Sequence, residues 1–92
     1  MSEEDRLRRA IIERLMCDFA VDLERECEQF GISADRFAPE LEALRPFQAD
    51  GLVSMKNLTV QVELEGQSLV RAVCAIFDTY LAAGKGRHSR AI

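Results

Sequence analysis

Three cysteines, one histidine and sixteen carboxylates are the residues of this chain best equipped for chemistry. Cys17, Cys27 and Cys74 lie too far apart for the C-x-x-C spacing of a zinc ribbon or redox pair. Their odd number also leaves no closed disulfide framework. A zinc site needs about four ligands in a compact array, and His88 is remote in sequence from every cysteine. Each cysteine occupies an apolar position of a helical pattern, so all three are expected to be small buried hydrophobes. Glu3-Glu4-Asp5 and Glu24, Glu26 and Glu28 read as solvated faces, the first also favouring its helix N-terminus. No glycine-rich phosphate loop is present. Residue types and spacing therefore assign no catalytic, metal or cofactor-binding residue to this chain.

The arginines are the residues without an obvious local task. Arg8 and Arg9 stand in the first helical pattern, and Arg14 precedes Leu15-Met16-Cys17-Asp18-Phe19. Arg71 interrupts an apolar stretch, and the chain closes on Ser89-Arg90-Ala91-Ile92. Solubility alone accounts for Arg8 or Arg14 taken singly. An arginine inside a largely apolar helix is different, because burying it unpaired is costly. Arg71 is expected to meet a carboxylate or a partner surface.

These side chains must be positioned by a short list of elements. Ser2 with Asp5 three residues on is a capping arrangement, and Leu7, Ile11 and Leu15 with Ile12, Met16 and Phe19 recur at helical spacing. The spacing predicts a helix from Glu3 to Cys17, with exposed Glu4–Arg8 and Asp5–Arg9 pairs at i,i+4. Asp22 caps a second helix that turns Leu23, Cys27 and Phe30 inward and ends at Gly31. Ser33 caps a third, with Phe37, Leu41, Leu44 and Phe47 as its stripe. Pro39 and Pro46 predict that this helix is kinked or broken. After Asp50-Gly51 the period falls to two, and residues 52–62 read as a hairpin turning at Lys56-Asn57. A last helix begins around Leu64 to Gln67 and buries Leu69, Val70, Val73, Cys74, Phe77, Tyr80 and Leu81. Gly84 and Gly86 stop it.

The predicted fold is mostly α and winged-helix-like: three helices, a β-hairpin wing and a C-terminal helix. Residues 1–83 form one domain, and 84–92 form a basic tail. Ninety-two residues that are 48% apolar and 30% charged, with a mean hydropathy of −0.09, suit one small soluble core. No apolar run spans a membrane, and MSEEDRLRR lacks the apolar region of a signal peptide. The unpaired cysteines fit a reducing compartment, so the cytoplasm is expected.

A winged helix suggests DNA binding through its third helix, but the charge argues otherwise. Residues 1–66 carry fifteen acids against eight bases, a net of −7, while 67–92 carry a net of +3. From Ser33 to Asp50 two arginines face four acids, and the wing offers only Lys56. Such a surface repels phosphate. No nucleic-acid partner and no membrane is expected. A winged-helix DNA-binding or protein-interaction module stands as the alternative function.

Four stretches carry a resemblance. DRLRRAIIERLMCDF, DRFAPELEALRPFQADGLV, LVRAVCAIFDTYL and the closing SRAI resemble, in order and register, the C-terminal domain of oxygen-independent coproporphyrinogen III oxidase. The likeness runs from Asp5 to Ile92. Members of that family usually have asparagine where Asp18 stands, and often an aromatic where this chain has His88.

The resemblance implies a radical S-adenosylmethionine enzyme of anaerobic haem synthesis. That enzyme oxidatively decarboxylates two propionates of coproporphyrinogen III, giving protoporphyrinogen IX. It further implies that a [4Fe–4S] cluster and S-adenosylmethionine belong to an N-terminal partial α/β barrel with a Cys-x-x-x-Cys-x-x-Cys loop. Cys17, Cys27 and Cys74 do not match that loop, so the chain alone is expected to be inactive. Its implied partners are the barrel and the substrate, which it would help to enclose. Arg9, Arg14, Arg71 and Arg90 are the implied substrate or inter-domain contacts. Apolar surplus at Ile12, Met16, Val70 and Ile76 is expected to seat the barrel, and to favour self-association in its absence.

Overall fold

Ser2 opens the first helix as expected: its hydroxyl accepts from the Asp5 amide at 3.1 Å while the Asp5 carboxylate accepts from the Ser2 amide. The computed structural model describes residues 2–78. Tyr80, Leu81, Gly84, Gly86, His88, Arg90 and the tail 84–92 lie outside the described residues. Helix α1 (Glu3–Asp18) buries Leu7, Ile11 and Leu15, the predicted stripe. Met16 and Cys17 are exposed, which corrects the expectation that Cys17 is buried.

Phe19 ends α1 in the left-handed region at φ 57°. A side chain normally avoids this region by roughly 1–2 kcal/mol. The Phe19 amide donates to Leu15 O at 3.0 Å and its carbonyl accepts from the Val62 amide at 2.7 Å, so both ends of the residue are fixed. The turn releases a strand that periodicity did not reveal, β1 (Ala20–Asp22). Asp22 then caps α2 (Leu23–Phe30), which buries Leu23 and Cys27 and stops at Gly31 with φ 66°.

The third predicted helix is broken at both prolines. Ser33 caps a 3-10 turn (Ala34–Phe37), followed by α3 (Ala38–Ala43) and α4 (Arg45–Ala49). Pro39 and Pro46 each sit in a first turn, where the missing amide breaks no helical bond. The hairpin consists of β2 (Val53–Lys56) and β3 (Thr59–Val62). Its two-residue loop is Asn57-Leu58, one position later than predicted, with Asn57 at φ 57°. β3 is the centre of a three-stranded antiparallel sheet in the order β1-β3-β2, pairing Val21 with Val60 and Val53 with Val62.

The final helix starts tighter than expected. A 3-10 segment (Leu64–Leu69) leads into α5 (Val70–Phe77), and Leu69 is exposed rather than buried. Gly66 explains the tight path: a β-carbon there would lie 2.3 Å from the Leu52 carbonyl oxygen, which already accepts from the Glu63 amide. One core gathers a contribution from every layer. It combines Leu7, Ile11 and Leu15 with Leu23, Phe37, Leu44, the sheet valines 21, 53, 60 and 62, and Val73 and Phe77. The architecture is mostly helical and winged-helix-like, with β1 added to the expected hairpin.

Candidate functional site

The strongest concentration of polar interactions lies under the helices. Arg8, expected on an exposed face, is buried at 9% exposure. Its Nε donates to Glu4 Oε2 at 2.9 Å and its Nη1 to the Phe77 carbonyl at 3.2 Å, and Nη1 forms an ion pair with Glu40 Oε2 at 2.8 Å. The guanidinium carbon stands 4.9 Å from the centroid of the Phe37 ring, which itself meets Phe77 at 5.8 Å. Glu4 also holds Arg36 through its other oxygen. One planar cation thus ties α1 to α3, to the 3-10 turn and to the end of α5. Charge-assisted bonds of this kind are strong when desolvated.

The signal for this clasp is present in the sequence. Arg8 stands three, four and seven residues before Ile11, Ile12 and Leu15, on the apolar stripe itself. The predicted Glu4–Arg8 pair forms, but inside rather than on the surface. The predicted Asp5–Arg9 pair does not form, because Asp5 is committed to the helix cap. The clasp carries no reaction; it fixes geometry.

Of the four arginines singled out by the resemblance, the three among the described residues, Arg9, Arg14 and Arg71, share no cleft. Arg14 pairs with Asp18 at 3.1 Å on the surface of α1. Arg9 and Arg71 are exposed and form no ion pair with the described residues, so of the two roles expected of Arg71, meeting a carboxylate or a partner surface, no described carboxylate fills the first. The reason is that α5 turns Val73, Cys74 and Phe77 inward and leaves Arg71 on its outer side. Arg90 lies outside the described residues.

Arg14 lines a cleft of about 530 Å³ between α1, β1, α2 and β3, together with Asp18, Asp22, Arg25, Glu26 and Gln29. Asp22 is occupied in capping Arg25, and Asp18 in holding Arg14. The lining contains no cysteine or histidine, and neither Arg9 nor Arg71 reaches it.

The cysteines do not suit an iron–sulfur cluster. Cys27 and Cys74 are buried in the core while Cys17 is exposed, and no three potential metal ligands gather among the described residues. Burial pushes both core thiols above their ordinary range, with the Glu26 charge adding to the effect at Cys27. Such thiols are poor metal ligands and poor nucleophiles.

A short winged-helix-like domain held by a buried arginine, and carrying no reactive constellation among its described residues, is the class of protein that these features define. A family model described as the HemN C-terminal domain matches residues 1–69. The chain belongs to the HemN C-terminal domain family. It is 38% identical over its whole length to the oxygen-independent coproporphyrinogen III oxidase of Bradyrhizobium diazoefficiens, of which it covers 20%. It is 44% identical over 91% of its length to the enzyme of that name from Thermostichus vulcanus, covering 26% of that protein. A solved structure of the Escherichia coli coproporphyrinogen III oxidase, described as a radical SAM enzyme, matches 88% of this chain with a TM-score of 0.81 at 38% identity. The match takes up 19% of that chain. This chain therefore spans about a fifth to a quarter of these relatives. No described helix is long and apolar enough to cross a membrane.

Proposed function

We propose that this chain is the accessory C-terminal domain of an oxygen-independent coproporphyrinogen III oxidase, helping to enclose the substrate while the radical chemistry is done by the preceding part of the enzyme. The observation that carries the reading is the likeness in sequence and in fold together: 38% identity over all 92 residues and a TM-score of 0.81. On this reading the [4Fe–4S] cluster and S-adenosylmethionine belong to that other part, which the unsuitability of the three cysteines for a cluster supports. Coproporphyrinogen III is rich in propionates, which favour guanidinium partners. Arg9 and Arg71 are exposed without an ion pair among the described residues, and are the two expected contacts with free capacity there for a propionate or an inter-domain carboxylate. Arg14, held by Asp18, has less.

The test is complementation. The Bradyrhizobium enzyme shortened by its final fifth is assayed for oxidation of coproporphyrinogen III, alone and joined to this chain. The shortened enzyme should be inactive and the joined one active. Full activity without the final fifth, or no recovery on joining, would refute the reading.

A further inference from the structure

Three large apolar side chains are exposed among the described residues: Met16 at 42%, Leu64 at 76% and Leu69 at 41%. The fold brings them to one end of the domain. Arg8 reaches the Phe77 carbonyl and the Cys74 sulfur lies 3.9 Å from the Ile12 carbonyl, so α1 and α5 run antiparallel. Continuing that register sets Met16 level with the start of α5, which Leu69 caps. The Val62 amide bonds to the Phe19 carbonyl, so Leu64, two residues later, emerges beside the end of α1. Arg71, in the first turn of α5, adds a cation without an ion pair among the described residues.

We infer that this end, formed by Met16, Leu64 and Leu69, is the seat of the preceding part of a HemN-type enzyme, whose facing surface is apolar with a carboxylate at its edge. The inference rests on the proposed function. The occupant follows from proportion: this domain makes up about a fifth of its relatives, such as 20% of the Bradyrhizobium enzyme, so a much larger body accompanies it there. Apolar side chains gathered at one end into an exposed patch mark a contact surface. The seat differs from the surface that sequence alone suggested. Ile12, Val70 and Ile76 are half-buried against the domain's own core, and of the four expected residues only Met16 is exposed.

Cys17, exposed beside Met16, is a built-in probe. The 92-residue chain is titrated with the Bradyrhizobium enzyme lacking its final fifth. Affinity is read by calorimetry, and Cys17 alkylation by mass spectrometry of its peptide. Binding should slow Cys17 alkylation at least tenfold, and Met16→Glu and Leu69→Glu should each weaken binding at least tenfold. Both variants should keep the wild-type circular dichroism, since neither side chain is in the core. Complementation by a joined chain, with both variants binding as wild type and Cys17 unprotected, would overturn this seat while leaving the proposed function standing. Absence of binding and of complementation would overturn both. A dimer of the chain itself, dissociated by these same substitutions and indifferent to the shortened enzyme, would make a second copy the occupant and refute the inference.

Discussion

Arg8 Nη1 stands 2.8 Å from Glu40 Oε2, and the other oxygen of that carboxylate, Oε1, is buried without a hydrogen bond among the described residues. Glu40 therefore depends on a single cation for its charge. Replacing Arg8 by alanine should cost about 3–5 kcal/mol, because a buried carboxylate is left without its partner. The Arg8→Met/Glu40→Met double variant removes both charges and should be less destabilised than Arg8→Ala. Urea unfolding of the wild type and the two variants measures this. Equal losses in the two variants would show that the pair is not coupled.

Gly66 and Gly31 make a contrasting pair. A methyl group at Gly66 runs into the Leu52 backbone, whereas at Gly31 there is open space and only a positive φ of 66° to accommodate. Gly66→Ala should cost about 2–3 kcal/mol, as overpacking against backbone does. Gly31→Ala should cost only about 1 kcal/mol. Thermal unfolding should rank them in that order.

The core thiols set an alkaline limit. Burial raises Cys27 and Cys74 above the ordinary value of 9.0, so the native state keeps these protons to higher pH than the unfolded chain. The stability linked to them is intact below the unfolded value, and is lost as pH rises through the folded one. Unfolding free energy measured from pH 7 to pH 10.5 should fall above pH 9. The fall should be shallower in Cys27→Ala/Cys74→Ala. In the native protein Cys17 should alkylate first and the other two only after unfolding.

Arg71 and Arg14 separate function from folding. In the enzyme completed by this chain, Arg71→Gln should lower oxidase turnover by at least about tenfold, the scale of one lost charge-assisted bond. Arg14→Gln should have a much smaller effect, since that guanidinium is already engaged by Asp18. Both variants of the isolated chain should unfold like the wild type. A drop in stability with Arg71→Gln would mean that the arginine serves the domain itself.

The helices were legible in the residues because local rules decide them. Ser2 with Asp5, Asp22 and Gly31 are caps, and Pro39 and Pro46 break the helix wherever tertiary packing places it. The strand at Ala20–Asp22 was not, since three residues carry no periodicity and its partner lies forty residues away on β3. Arg8 was misplaced for a related reason. Its pairing with Glu4 is local and visible, but its burial depends on Phe37, Glu40 and Phe77 arriving from elsewhere. Cys17 shows the opposite error, an apolar-seeming position at the last turn that no later described element covers. Arg9, Arg14 and Arg71 were legible only as types, because which of them an acid engages and which lines the cleft is a property of the assembled domain.

The first and last described helices are packing partners, and that has a meaning for how the protein is made. Leu7, Ile11 and Leu15 find their cover in part from Val73 and Phe77, and Arg8 its last acceptor in the Phe77 carbonyl. At about 5–20 residues per second, roughly 3–12 s of translation separate the emergence of α1 from that of α5. During that time the apolar stripe of α1 stands open, and the domain closes only once α5 has emerged. In a HemN-type chain that ends with this domain, the preceding part is already out of the ribosome by then. It is in position to meet α1 before α5 does.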